Sequence, residues 1–224
     1  MVLLITGCRS GFGLLAAVEA ARRGHRVYAG FRDLSTKGDL VQAAGDLPVF
    51  PIQLDVTEPD QRASAVQEIV QAEGRIDALV NNAGVALGGY LEQIEEDEFR
   101  RVLEVNLIAL WALTNQVLPI MRGQGSGTIV NVSSISGRLA LPGLGAYAAS
   151  KFALEGMSEA LRHEVKPFGL RVCLIEPGPY KTDILGRNRT LCRRALEEGP
   201  YRPYTEKAEQ LFDNIAKTAG DPMD

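Results

Sequence analysis

Six short runs, 2–6, 26–31, 49–54, 76–81, 128–133 and 170–175, are apolar along nearly their whole length, and a segment of helical period separates each from the next. No other feature restricts the fold as strongly. An alternating strand buries one face, whereas a strand apolar throughout is covered on both. Connections long enough to hold a helix return the chain to the same end of a sheet, so neighbouring strands run parallel. The pattern predicts an α/β fold, a Rossmann-type three-layer sandwich with a mostly or wholly parallel sheet, in a single domain over residues 1–224. The 224 residues, 46% of them hydrophobic, supply enough apolar material for one such core. The longest helical stretches are 95–122 and 146–166, the second ending near Pro167 and Gly169. These two are expected to form the surface of a homodimer or homotetramer. Residues 179–204 lose periodicity and collect Pro, Gly, Arg and Tyr, which reads as a substrate flap.

The net charge is −4, with acids and bases interspersed, so no basic stripe invites nucleic acid or an anionic membrane. The first apolar run stops at Thr6, too short for a signal peptide or a membrane span. The three cysteines, Cys8, Cys173 and Cys192, lack metal-ligand or redox-pair spacing. They read as reduced thiols of a cytoplasmic protein with no metal. His25 and His163 have no matching nucleophile or ligand set and read as packing or surface residues.

Directly after the first strand comes Thr6-Gly7-Cys8-Arg9-Ser10-Gly11-Phe12-Gly13, and then an alanine-rich helix over 14–23. Glycines let the backbone turn sharply and approach a pyrophosphate, while the N–H groups and positive dipole end of the following helix receive its charge. The plain alternative, a tight strand-to-helix turn, loses ground because the loop is placed between the first strand and a helix.

The spacing Gly-x-x-x-Gly-x-Gly resembles that of the short-chain dehydrogenase/reductase family. The resemblance runs from residue 2 to about 182 through Asp55-Val56, Asn81-Asn82-Ala83-Gly84, Asn106, Ser134, Tyr147-Ala148-Ala149-Ser150-Lys151 and Pro177-Gly178, in that order. It implies a nicotinamide-dependent enzyme that interconverts a carbonyl and a secondary alcohol. By the same resemblance Gly7, Arg9, Ser10, Gly11, Phe12 and Gly13 hold the pyrophosphate side, Asp55 and Val56 the adenine, and Asn82, Ala83 and Gly84 line the path between. Pro177 and Gly178 shape a turn under the nicotinamide, and Thr182 binds its carboxamide. The family usually continues with another strand and helix, which this sequence, ending at Asp224, is expected to lack.

Cofactor choice is a question of charge at the end of the second strand. By alignment with the family, Phe31 takes the place of the carboxylate that would bind an NAD ribose. Arg32 follows, where a guanidinium pairs with a 2′-phosphate, and Arg9 adds a second cation. NADP is therefore favoured. NAD stays open because Asp33 lies only two residues beyond Phe31.

Tyr147 and Lys151, four residues apart, share one helix face, and Ser134 ends the fifth strand. In the family Tyr147 is the proton donor and acceptor, with Lys151 lowering its pKa and holding the nicotinamide ribose. Ser134 orients the substrate oxygen, and Asn106 holds a water that relays protons to the lysine. Ser134 is preferred to Ser133 by its separation from Tyr147. The apolar residues Val85, Leu87, Leu139, Leu141, Leu144, Tyr180 and Ile184 point to an apolar small-molecule carbonyl or alcohol. The competing function is a cofactor-binding sensor or scaffold of the same fold without redox chemistry.

Overall fold

A computed structural model of the chain describes residues 1–180, 182, 184 and 188–222. Strands β1 (Val2–Thr6), β2 (Arg26–Phe31), β3 (Val49–Gln53), β4 (Ala78–Asn81), β5 (Ala86–Gly88), β6 (Gly127–Val132), β7 (Leu170–Ile175) and β8 (Arg189–Leu191) alternate with seven helices. These are α1 (Gly11–Arg22), α2 (Gly38–Ala44), α3 (Pro59–Glu73), α4 (Glu96–Leu103), α5 (Ala109–Gln124), α6 (Gly145–Val165) and α7 (Arg202–Thr218). Six strands pair in the order β3-β2-β1-β4-β6-β7, every pairing parallel. The strand order reverses between β1 and β4, so a crevice opens there at the strands' C-terminal ends.

The strands carry apolar side chains on both faces because helices cover both. Leu3, Ile5, Val27 and Ala29 pack beneath Ala17, Val18 and Leu40 of α1 and α2. Their neighbours Leu4, Ile52, Leu79 and Ile129 meet Ile69, Leu113, Val117 and Val165 of α3, α5 and α6 on the other side. The expectation of two covered faces fails at β7. There Leu170 and Val172 are buried while Arg171, Cys173 and Ile175 are exposed, because the layer of α1 and α2 packs on the other half of the sheet.

The helix expected over 95–122 runs from Glu96 to Gln124, interrupted by a π-turn at Glu104–Ile108. It is long and apolar enough to cross a membrane, yet Ala109, Leu113, Val117 and Met121 are fully buried against the sheet. Asn106 lies in the π-turn and is itself fully buried. Its Nδ2 donates to the Val85 carbonyl (2.9 Å) and to Ser150 Oγ (3.0 Å), and its Oδ1 accepts from the Val85 amide (2.9 Å). The side chain thus clamps the segment after β4 to α6.

A second buried network fixes α6 to the sheet. Asn81 donates to Asn131 (2.8 Å) and Thr114 (3.0 Å), and Asn131 donates to Ser158 (2.8 Å). Buried amides need such partners.

Within 179–204, where no element is expected from sequence, the structure places β8, paired in parallel with β5, and the start of α7. Residues 181, 183 and 185–187 of that stretch lie outside the described residues. Arg193 is held by Glu95 and Asp97 at the start of α4, and Arg189 pairs with Glu209 of α7 while lying 4.3 Å over the Phe212 ring. The three cysteines are free; Cys8 and Cys192 are buried and Cys173 is exposed.

Candidate active site

The ends of β1 and β4 build the floor of the crevice. Thr6 Oγ1 accepts from the amides of Asn82 (3.0 Å) and Ala83 (2.9 Å). In return Asn82 Nδ2 donates to the carbonyls of Thr6 (2.9 Å) and Gly7 (3.1 Å). Asn82, read from sequence as lining the cofactor path, therefore also pins the glycine loop. That loop needs its glycines. Gly7 and Gly11 have φ of 72° and 56°, in the left-handed region. At Gly13 a Cβ would overlap the Gly7 carbonyl and stand 2.5 Å from Asn82 Nδ2. Gly11, Phe12 and Gly13 open α1, whose first turn has no acidic side chain. The loop thus brings backbone to the positive end of a helix, a cradle that fits a dinucleotide pyrophosphate.

One groove collects Gly7, Arg9, Ser10, Gly11 and Phe12 with Arg32, Asp55 and Val56, then Asn82, Ala83 and Gly84, and reaches Ser134, Tyr147, Lys151, Pro177, Gly178 and Thr182. Of the catalytic and cofactor-binding residues expected from sequence, two do not line it. Gly13 lies behind the loop against Gly7, and Asn106 lies behind Val85. Thr36, Leu54, Arg101, Val105 and Asn188 line it without having been anticipated. Arg101 and Val105 sit one helical turn apart ahead of Asn106, a spacing that marks them in retrospect. Thr36 and Asn188 carry no sequence signal.

At one end of the groove Phe31 is buried, closing β2 with an apolar side chain. Arg9 and Arg32 are exposed there. Asp33 accepts the Ser35 amide (2.9 Å), and the Ser35 side chain, then this amide, then the fields of Arg9 and Arg32 hold its carboxyl below the usual range. Asp55 Oδ1 accepts from the amide (2.9 Å) and hydroxyl (2.7 Å) of Thr57, fixing the turn after β3.

At the other end, β6 delivers Ser134 and the start of α6 delivers Tyr147 and Lys151. Ser134 is extended (φ −168°), and its Oγ accepts the Ser136 amide at 3.1 Å. The Ser134 side chain also lies near enough to the Tyr147 phenol to favour its ionised form. Ser133 also borders the groove, but its Oγ lies beside Gly137. Lys151 is buried and donates to the Val132 carbonyl at 2.8 Å, with Nζ 5.7 Å from the centre of the Tyr147 ring.

Burial is the strongest influence on both titrating groups. It pushes the Tyr147 phenol above its ordinary value, with Ser134 pulling the other way. It brings the Lys151 ammonium down to about 8. The expectation that Lys151 holds the phenol low is thus not met in the protein by itself, because desolvation disfavours phenolate and ammonium alike. A positive group held in the groove would favour the phenolate, while disfavouring the Lys151 ammonium further.

Of the apolar residues expected around the cleft, Val85 and Ile184 line it. Leu87 and Leu144 are buried, Leu139 and Leu141 are exposed, and Tyr180 packs edge-on against Phe12 at 5.4 Å. The walls of a substrate site depend on chain path after the strands, which local pattern does not encode.

The short chain dehydrogenase family model matches residues 1–191. The chain is 39% identical to the uncharacterized oxidoreductase YusZ of Bacillus subtilis, over all of this chain and 81% of that protein. It is 43% identical to human 17-beta-hydroxysteroid dehydrogenase type 1 over 82% of this chain and 58% of that one. Among solved structures, a short-chain dehydrogenase from Streptomyces avermitilis superposes with a TM-score of 0.85 at 38% identity, covering 99% of this chain and 79% of that one. A short chain dehydrogenase/reductase from Burkholderia phymatum in complex with NAD gives 0.84 at 27% identity (97% and 79%). A metagenomic short-chain oxidoreductase in complex with NADP gives 0.75 at 30% (81% and 83%).

Proposed function

The chain belongs to the short-chain dehydrogenase family, nicotinamide-dependent oxidoreductases acting on CH–OH groups, and on that premise we propose that it reduces an apolar ketone with NADPH, or oxidises the matching alcohol. The observation that carries the reading is the meeting of Ser134, Tyr147 and Lys151 at one end of a groove whose other end presents Arg9 and Arg32.

When bound, the nicotinamide supplies the hydride for the carbonyl carbon. Tyr147 donates its phenol proton to the oxygen that becomes the alkoxide, and takes the proton back in the reverse direction. Ser134 donates a hydrogen bond to the same oxygen, stabilising its developing charge. Lys151 favours the phenolate while it carries its own proton, and with a pKa of about 8 it gains and loses that proton near neutral pH. Asn106, by clamping Val85 and Ser150, keeps the segment after β4 and the first turns of α6 in register, and we assign it the relay of protons toward Lys151. Pro177, Gly178 and Thr182 bound the nicotinamide end.

The NADP preference rests on the buried Phe31 where NAD binding wants a carboxylate, and on the two guanidinium groups beside it. Arg32→Ala is expected to weaken NADPH binding about 10- to 100-fold, the worth of one charge-assisted bond to phosphate. NADH binding should stay within about threefold. Fluorescence titration of each reduced cofactor checks this, and equal losses would return the adenine end to NAD. Val85 and Ile184 in the groove, and the likeness to a protein named as a hydroxysteroid dehydrogenase, support an apolar substrate. NADPH consumption across a panel of apolar ketones tests the function directly. Cofactor binding without turnover on the whole panel would favour the sensor reading instead.

Residues 1–224 are taken as one catalytic unit, with 179–204 as the wall that selects substrate. Ile108 and Trp111, three residues apart, expose one apolar face of the long helix, and Phe152 is exposed on α6. These side chains support a homodimer through the two helices. Trp111→Glu is expected to convert the assembly to monomer, as read by sedimentation velocity; an unchanged coefficient would move the interface.

A further inference from the structure

We propose that Gln53, which does not line the groove, is a positioning residue for cofactor choice: its side-chain amide fixes the Arg32–Asp33 peptide so that Arg32 meets the 2′-phosphate of NADP and Asp33 turns away. The inference rests on the cofactor reading above and names what sets the aim of Arg32.

The ladder between β2 and β3 ends where Phe31 pairs with Gln53, and the Phe31 carbonyl accepts the Leu54 amide at 2.7 Å. Arg32 is the first residue past that end and has no ladder partner. Gln53 supplies the missing bond from its side chain, Nε2 donating to the Arg32 carbonyl at 2.8 Å. The same nitrogen donates to Gln61 Oε1 at 3.2 Å, and that oxygen also accepts the Asp55 amide at 2.7 Å. Gln61 stands in the first turn of α3. The two glutamines thus join the backbone of Arg32 to that of Asp55, two residues of the groove that follow neighbouring strands.

Only the backbone of Arg32 is anchored. The residue is exposed, and its guanidinium makes no hydrogen bond among the described residues. Where a free side chain of this length can reach is set by the backbone it springs from, and small misplacements of a charge-pairing group are costly. The peptide that Gln53 holds also aims the carboxylate beside it. Asp33 accepts the Ser35 amide on its side chain (2.9 Å), and its carbonyl accepts the amide (3.1 Å) and hydroxyl (2.7 Å) of Thr36. The acid is thereby spent as the cap of the turn Leu34–Thr36. Swinging it toward a ribose 2′-hydroxyl would require that cap to open and the Arg32–Asp33 peptide to rotate, and the Gln53 bond opposes the rotation.

Gln53→Leu keeps the size of the side chain and removes its donor. NADPH affinity, read by fluorescence titration, is expected to fall about three- to tenfold, the worth of one hydrogen bond, while NADH affinity does not fall. At saturating NADPH kcat should stay at the wild-type value, because Ser134, Tyr147 and Lys151 lie at the other end of the groove. In an Arg32→Ala background the same substitution is expected to cost NADPH nothing further, since the bond acts through Arg32. Gln61→Leu releases Gln53 and the Asp55 amide together and should weaken both cofactors, NADPH the more. A strut that serves only the fold would lower the melting temperature and weaken both cofactors alike. Equal losses of NADPH and NADH in Gln53→Leu, or full additivity with Arg32→Ala, therefore overturn the proposal, and if Gln53→Leu does not fold, equal losses in Gln61→Leu do so. Gln53→Leu binding NADPH like wild type, beside a weakened Arg32→Ala, defeats the proposal alone. Arg32→Ala binding NADPH like wild type defeats the cofactor reading and the proposal with it.

Discussion

Tyr147→Phe is expected to lower turnover by about a thousandfold or more, the upper part of what a positioned acid–base group contributes, with NADPH affinity unchanged. The ring is buried and keeps its packing, Ser134 keeps the Ser136 amide as partner, and Lys151 keeps the Val132 carbonyl. Only the exchangeable proton at the groove end is lost. Stopped-flow reduction of a responsive ketone, with cofactor titrated separately, distinguishes this from a folding defect. A rate within tenfold of wild type would place the acid elsewhere, and Ser134 would be the next group to examine.

Gly13→Ala is expected to be as damaging at the other end. The added methyl would overlap the Gly7 carbonyl and crowd Asn82 Nδ2, and neither neighbour is free to yield. The carbonyl belongs to a residue in the left-handed region. The amide also holds the Thr6 carbonyl, so moving it breaks the tie between the end of β1 and the segment after β4. We expect NADPH binding to weaken by about a hundredfold, together with a loss of stability of about 3 kcal/mol, the scale of backbone strain added to broken buried hydrogen bonds. Titration fluorescence and thermal melts read the two effects. A variant that melts like wild type and binds NADPH equally well would show that the loop shifts without cost. Gly13 lies outside the groove, so a loss of binding there would report on the loop's shape and not on a lost contact.

The two ends of the site were legible in sequence to different depths. The sheet could be read because parallel strands buried on both faces are apolar without alternation, as in Leu3-Leu4-Ile5. Where one face of β7 is bare, alternation returns at Leu170-Arg171-Val172-Cys173, and the run looked uniform only because Cys173 counts as apolar. The glycine loop, Ser134, Tyr147 and Lys151 were legible because their spacing is set by local geometry: a turn, a strand end and one helical turn. What escaped depends on contacts between distant segments. β8 has three residues and exists by pairing with β5 a hundred positions earlier. The π-turn around Asn106 follows from a clamp on Val85. Gln53 reads as an ordinary strand-end amide until Arg32 and Gln61 are seen against it. Burial, which raises the phenol's pKa in the protein by itself, is a property of the packed groove and could not be weighed from spacing.

The strand order also bears on how the molecule comes into being. β1, which precedes the other strands in sequence, lies inside the sheet with β2 on one side and β4 on the other, so the glycine loop and its Asn82 anchor are complete once the chain through Gly84 has emerged. Tyr147 and Lys151 follow much later and have no sheet to dock on until β6 joins β4. Pairings this distant along the chain are slow to form. The nucleotide-holding half is therefore expected to gain structure during synthesis ahead of the half that moves protons. A ribosome-bound chain in which Gly84 has cleared the exit tunnel would resist protease in its first strands before Tyr147 and Lys151 have emerged.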